Sequence, residues 1–223
     1  ATTNDPLATY VINDATSVPG TTEVVVTAQD GTTTLTYDVN FKVVPTVAAP
    51  TPTQPSYDVI SIYSDAYTNI SGIDYNPAWG QSTIVTVDYL VAGDNTLRYE
   101  NLNYQGTEWN ANPQDVSGYE YLHVDFWTGN STDLGIYLVS GVWPTNVEFE
   151  YVFTVQTEQW VSVDIPLTYF SGGGVDLADA RQFKVEGDGD VWFDNWYFWK
   201  TPGGGTLTFD PEDGTTGVPI DVN

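Results

Sequence analysis

The chain has 223 residues with no Cys or Met, 14% aromatic residues, and thirty Asp and Glu against five Lys and Arg, giving a formal charge of −25. Such a surface repels phosphate backbones and argues against nucleic acid and anionic membranes as partners. No apolar run approaches the ~18 residues of a membrane span, no disulfide framework exists, and the wealth of Thr, Val, Tyr and Gly makes the expected fold class all-β.

Taken in chain order, residues 1–44 open with a strand run at 21–29, a hairpin turn signal at Asp30-Gly31 and a second strand. In that second strand Leu35, Tyr37, Val39, Phe41 and Val43 alternate with Thr36, Asp38, Asn40 and Lys42, the period of a half-buried strand. The run "VVVTAQDGTTTLTYDVNF" resembles the closing hairpin of a bacterial cadherin-like sandwich and covers only the last half of such a domain. Residues 45–56, "PTVAAPTPTQPS", hold four prolines, which exclude ladder pairing and favour an extended, semi-rigid linker. A Gly linker at 201–205 precedes "TLTFDPEDGTTGVPIDVN" (206–223), expected as the start of a further immunoglobulin-like β domain.

Between the linkers, residues 57–200 carry about nine short strand runs separated by turn residues, at 59–63, 84–90, 96–100, 121–127, 135–139, 148–155, 160–165, 182–185 and 191–199. That spacing predicts a two-sheet β-sandwich of jelly-roll type, flanked by immunoglobulin-like fragments. Within 121–127, Leu122, Val124 and Phe126 are expected in the core, with Tyr121, His123, Asp125 and Trp127 on the other face. By the same alternation Val161, Val163 and Ile165 point in, while Trp160, Ser162 and Asp164 point out.

Catalysis finds little support. The single His123 sits mid-strand, there is no Cys, and no Ser nucleophile motif is present. A glycosidase needs two carboxylates at a set separation, and thirty acidic residues supply such pairs by chance. No catalytic residue is assigned.

Sugar binding needs flat aromatic faces with polar groups beside them. Two of the eight Trp lie in loop-like sequence, Trp79 in "DYNPAWGQ" and Trp143 in "SGVWPTN". Loop indoles are either folded down over the sandwich edge or offered to a ligand, and the Pro, Gly and Asn neighbours favour the second. Tyr104 and Trp109, in "NYQGTEWN", are further candidates. The outward set His123, Asp125 and Trp127 is the rival location, on a concave sheet face.

The segments "ISIYSDAYTNI", "DYNPAWGQST", "TLRYENLNYQG", "DVSGYEYLHVDFWT", "WVSVDIPL" and "VWFDNWYFWK", in that order, span nearly all of 58–200. Together they resemble a carbohydrate-binding module of the kind appended to bacterial polysaccharide-degrading enzymes and surface glycan-binding proteins. The resemblance implies a non-catalytic β-sandwich in a secreted or outer-cell-surface multimodular protein, monomeric within that larger chain. Its implied ligand is a neutral β-glucan, β-1,3-linked as in laminarin. It also implies a structural calcium where first and last strands meet, with Asp65 and Asp194 as ligands and carbonyls of the 61–69 loop completing the shell. On the residues alone, Asp194 has the plainer reading of capping a bulge in the last strand. The rival functions are a structural spacer array without a glycan ligand, and a glycoside hydrolase fragment.

Overall fold

The computed structural model describes residues 1–202, so the segment 206–223 lies outside the described residues. The chain is all-β. Its first sheet is three-stranded, from β1 (Thr9–Asn13), β2 (Gly20–Thr27) and β3 (Thr34–Phe41), all antiparallel. Asp30 shapes the β2–β3 turn, where its carboxylate accepts the backbone N–H groups of Thr32 and Thr33 at 2.8 Å and Gly31 takes a left-handed φ of 71°. Register places Tyr10, Ile12, Val24, Val26, Leu35 and Tyr37 on one face of this sheet. Alternation marked Leu35 and Tyr37, but it did not reveal β1, and β3, expected half-buried, is exposed along its length.

The remaining strands form a sandwich. One sheet has four strands in the order β10 (Val147–Val152), β9 (Leu134–Ser140), β12 (Ala180–Gly187), β7 (Tyr104–Glu108). The other runs β11 (Trp160–Pro166), β8 (Tyr121–Thr128), β13 (Val191–Trp199), β6 (Asp94–Glu100), β5 (Ile84–Val91), with β4 (Val59–Tyr63) also paired to β13. Every strand pair is antiparallel. The crossing order between two facing antiparallel sheets is the jelly-roll-type arrangement that the spacing of strand runs implies.

The inward positions are those the alternation assigns. Leu122, Val124, Phe126 and Ile165 are fully buried, and Val161 and Val163 pack on the same core. Aromatic rings bind the layers, edge to face: Trp109 on Phe183 at 5.0 Å, Phe183 on Trp196 at 5.5 Å and Phe193 on Trp196 at 5.0 Å. Alternation did not reveal β7, because its buried residues Gln105, Gly106 and Thr107 are not apolar. Nor did it reveal the one-and-a-half-turn helix α1 (Leu167–Gly172), too short for a helical period.

Residues 45–56, expected as a spacer, carry no strand and no helix before a short 3-10 turn that begins at Ser56, yet they are laid on the sandwich. Pro45 and Ala49 are buried. Trp160 Nε1 donates to the Val47 carbonyl at 2.8 Å, Asn195 Nδ2 to the Pro50 carbonyl at 3.0 Å, and the Tyr197 hydroxyl to Gln54 Oε1 at 3.0 Å. Just upstream Lys42 Nζ lies 2.7 Å from Asp190, and Val43 packs with Trp127 and Trp192. The segment therefore covers the part of the larger sheet's outer face around Trp127, Trp192, Asn195 and Tyr197, while Ser162 and Asp164 of β11 stay exposed. Prolines forbid a ladder but leave carbonyls free to accept, and here those carbonyls find side-chain donors.

Candidate functional site

With the middle of the larger sheet's outer face covered by segment 43–56, the outer face of the four-stranded sheet is the more open of the two among the described residues. Register sets its outward residues in cross-strand rows: Glu148, Val139, Gln182 and Glu108 in one, Glu150, Tyr137, Lys184 and Gly106 in the next. Two loops wall this face. The stretch between β4 and β5 brings Trp79, and the β9–β10 connection brings Trp143, carried on a tight turn in which the Thr145 N–H donates to the Val142 carbonyl at 2.9 Å. The result is a groove of about 680 Å³ lined by Ala78, Trp79, Tyr104, Trp143, Asn146, Glu148, Gln182 and Lys184. Its volume falls within the ordinary range for ligand sites.

Three of the four aromatic residues singled out from sequence meet in this groove: Trp79, Trp143 and Tyr104. Trp143 is 85% exposed and Trp79 is half-buried. Trp109 is the correction. It is fully buried, its Nε1 donates to the Ala180 carbonyl at 2.8 Å, and its ring packs on Phe183. As the residue after β7 it turns inward, so it is core and offers nothing to a ligand.

The floor is polar and networked. Lys184 Nζ lies 2.6 Å from Glu148 Oε1 and 3.2 Å from Glu186 Oε1, and 3.8 Å above the Tyr137 ring. The Tyr137 hydroxyl donates to Glu186 Oε2 at 3.0 Å; burial, then Glu186 and Glu150, push its pKa upward, so it stays a neutral donor. One ammonium among several carboxylates gives a face with paired hydrogen-bonding groups and net negative charge, which suits hydroxyl-rich neutral ligands and repels anionic ones. Among these floor residues Lys184 left the clearest trace in the sequence, as one of only five basic residues.

The rival face does not form. Asp125 is fully buried, Trp127 is 3% exposed and packs edge-on to Trp192, and His123 stacks on Tyr197 at 4.7 Å. Segment 43–56 lies across this region; the groove between it and the sheet reaches Trp127 but is lined by neither His123 nor Asp125.

At the opposite side of the molecule Asp65, Asp94 and Asp194 bring carboxylate oxygens within 4.8 Å of one another. Four chain segments build the place: the loop at Asp65-Ala66, the two-residue Ala92-Gly93 turn with Asp94, the bulge in the middle of β13 and residues 48–52. Among the described residues, no ion pair to Lys, Arg or His reaches any of the three. Burial, chiefly, and the neighbouring carboxylates push Asp194 up to about 8; burial and Asp65 push Asp94 up to about 6. Hard oxygen donors without an internal cation fit a calcium-type ion. Asp194 also does what the plainer reading assigns it, accepting the Asn195 N–H at 2.6 Å where Asn195 takes a left-handed φ of 54° at the β13 bulge. Asp94 escaped the sequence reading because "AGDN" has the look of a turn, where Asp needs no other explanation.

No family model matches the chain and no curated protein matches it. Among solved structures, it is similar to the family 30 carbohydrate-binding module of the cellulosomal cellulase Cel9D-Cel44B of Clostridium thermocellum, with 18% identity, a TM-score of 0.46, and 64% of this chain and 97% of that one covered. It is also similar to the family 11 module from Clostridium thermocellum, solved with a β-1,3-1,4-mixed-linked tetrasaccharide, at 12% identity and a TM-score of 0.44, over 60% of this chain and 91% of that one. A family 29 module shares 13% identity at a TM-score of 0.42, over 63% and 90%. Among the described residues no helix is long and apolar enough to cross a membrane.

Proposed function

We propose that this chain is a non-catalytic polysaccharide-binding module that takes a neutral β-glucan, β-1,3-linked in preference, along the outer face of the four-stranded sheet. The observation that carries this reading is the convergence of Trp79 and Trp143, sixty-four positions apart in sequence, on one groove floored by Gln182, Lys184 and Glu148. An indole face covers the apolar C–H side of a pyranose, and the Lys–Glu network meets its hydroxyls. A structural calcium at Asp65, Asp94 and Asp194 belongs to the same proposal, as does a place in a secreted or cell-surface multimodular protein. Supporting the calcium is the chemistry of the donor set; supporting the neutral ligand is the acidic surface, −25 overall.

The test is binding of the chain to soluble laminarin, mixed-linked β-glucan, xylan and a uronic-acid glycan, by calorimetry at low and high salt. Binding to one or more neutral glucans with little salt dependence is expected. Silence across the panel at millimolar concentration would favour the spacer reading, and preference for the acidic glycan would overturn the ligand class.

A further inference from the structure

Trp79 lies in a loop without regular structure, yet it is held at every polar atom. Its backbone N–H donates to Gln81 Oε1 and toward the Pro77 carbonyl, both at 2.9 Å. Its carbonyl accepts the Tyr104 hydroxyl at 2.9 Å, and its indole Nε1 donates to Glu108 Oε2 at 3.3 Å. The ring itself rests on Gly106: a Cβ at that position would stand 2.6–2.7 Å from three atoms of its six-membered ring. Gly106 is in regular β7 and does not adopt a left-handed φ, so the backbone does not demand glycine there. The space under the indole does. Close approach of another group is the second standard reason for glycine inside a strand.

Resting on the reading of the groove as a glycan site, we propose that Tyr104, Gly106 and Glu108, the outward positions of β7, form a seat that fixes the Trp79 indole as a rigid platform. They act as positioning residues. Tyr104, singled out from sequence as a sugar contact and lining the groove, also serves through its hydroxyl, which braces the loop carbonyl. A loop tryptophan left free would lose rotamer freedom at the moment of binding, and the seat removes that loss in advance. Trp143, 85% exposed at the far wall, has no comparable seat, so the two indoles differ: Trp79 is a fixed wall and Trp143 a free one.

The experiment uses the full chain with Gly106→Ala, Tyr104→Phe, Glu108→Ala and Glu108→Gln. Laminarin and mixed-linked β-glucan are the probes for affinity, and the indole N–H resonance of Trp79, assigned through Trp79→Phe, reports the seat without ligand. Gly106→Ala is expected to weaken binding tenfold or more, to shift that resonance and to speed its exchange, while the melting temperature moves by only a few degrees. Tyr104→Phe and Glu108→Ala are expected to weaken binding three- to tenfold, and Glu108→Gln to restore it, since its carbonyl still accepts from Nε1. If Gly106→Ala unfolds the chain, the Tyr104→Phe result and the Ala-to-Gln rescue at 108 decide. Wild-type affinity in Gly106→Ala, or a shifted resonance without loss of affinity, overturns the proposal. If the wild type binds neither glucan the functional reading fails separately, and the resonance alone then shows whether the seat exists.

Discussion

His123 shows how far a single side chain can be from the role its chemistry suggests. Its Nδ1 lies 2.7 Å from Asp164 Oδ1, its Nε2 3.3 Å from Asp125 Oδ1, and its ring stacks on Tyr197. Burial alone would lower its pKa, but the hydrogen bonds and charges of Asp125 and Asp164 outweigh it and raise the value to about 9. A folded-state pKa above the unfolded 6.5 means stability fully present below pH 6.5 and lost as pH rises toward 9, by up to roughly 3 kcal/mol. Denaturant melts at pH 6 and pH 9.5 should show that loss in the wild type and much less of it in His123→Gln; equal losses would refute the assignment. The tryptophans divide in the same way. Trp143→Ala, at an exposed site, should cost within about 0.5 kcal/mol, whereas Trp109→Ala should cost about 3–5 kcal/mol through the cavity it leaves. Flanking Pro and Gly marked Trp143 and Trp79 as loop residues, and the groove contains both. Nothing in "NYQGTEWN" told that Tyr104 begins a strand and that Trp109, one step past its end, must turn inward.

At the scale of elements, the legible strands were those whose buried side is apolar, as in β8 and β11, where period two reads off the sequence directly. β7 was hidden because its inward residues Gln105 and Thr107 are polar. Gln105 Nε2 donates to the Gly106 carbonyl at 2.8 Å while its Oε1 has no protein partner among the described residues, and Thr107 Oγ1 pairs with the Tyr99 hydroxyl at 3.2 Å. The Pro-rich segment misled in another way. Composition speaks for its backbone and not for what its carbonyls meet, and here they meet Trp160 and Asn195. Its docking carries a prediction. Burial of Pro45 and Ala49 and the packing of Val43 on Trp127 should together stabilise the sandwich by on the order of 2–3 kcal/mol. Residues 42–202 should therefore melt higher than 57–202, and limited proteolysis of the full chain should spare 43–56. Ready cleavage there, with equal melting temperatures, would show that the segment is a free spacer after all.

For the whole molecule the acidic triad matters more than its size suggests, because its four contributing segments are remote in sequence. The 48–52 backbone, Asp65, Asp94 and Asp194 join the docked linker, the exit of β4, the β5–β6 hairpin and the last strand. Without a cation, three carboxyl groups crowd within 4.8 Å, and the cost of keeping them ionised there opposes the meeting of those segments; with one, the same groups become its ligands. An ion that binds only the folded state stabilises it by RT ln(1 + [L]/Kd), about 2.7 kcal/mol at a hundredfold excess. For a domain of this size that is a rise of roughly 5–10 °C in melting temperature. Calcium added to chelated protein should restore such a shift, and magnesium should restore little, since it demands near-octahedral geometry and holds its waters. Asp94→Asn should remove most of the calcium response while leaving the apo protein as stable as before or more so, because one repelling charge is gone. If the chelated wild type melts where the calcium-treated protein does, the triad is a solvated acidic patch, and the linker is held by its carbonyl hydrogen bonds and buried apolar contacts without an ion.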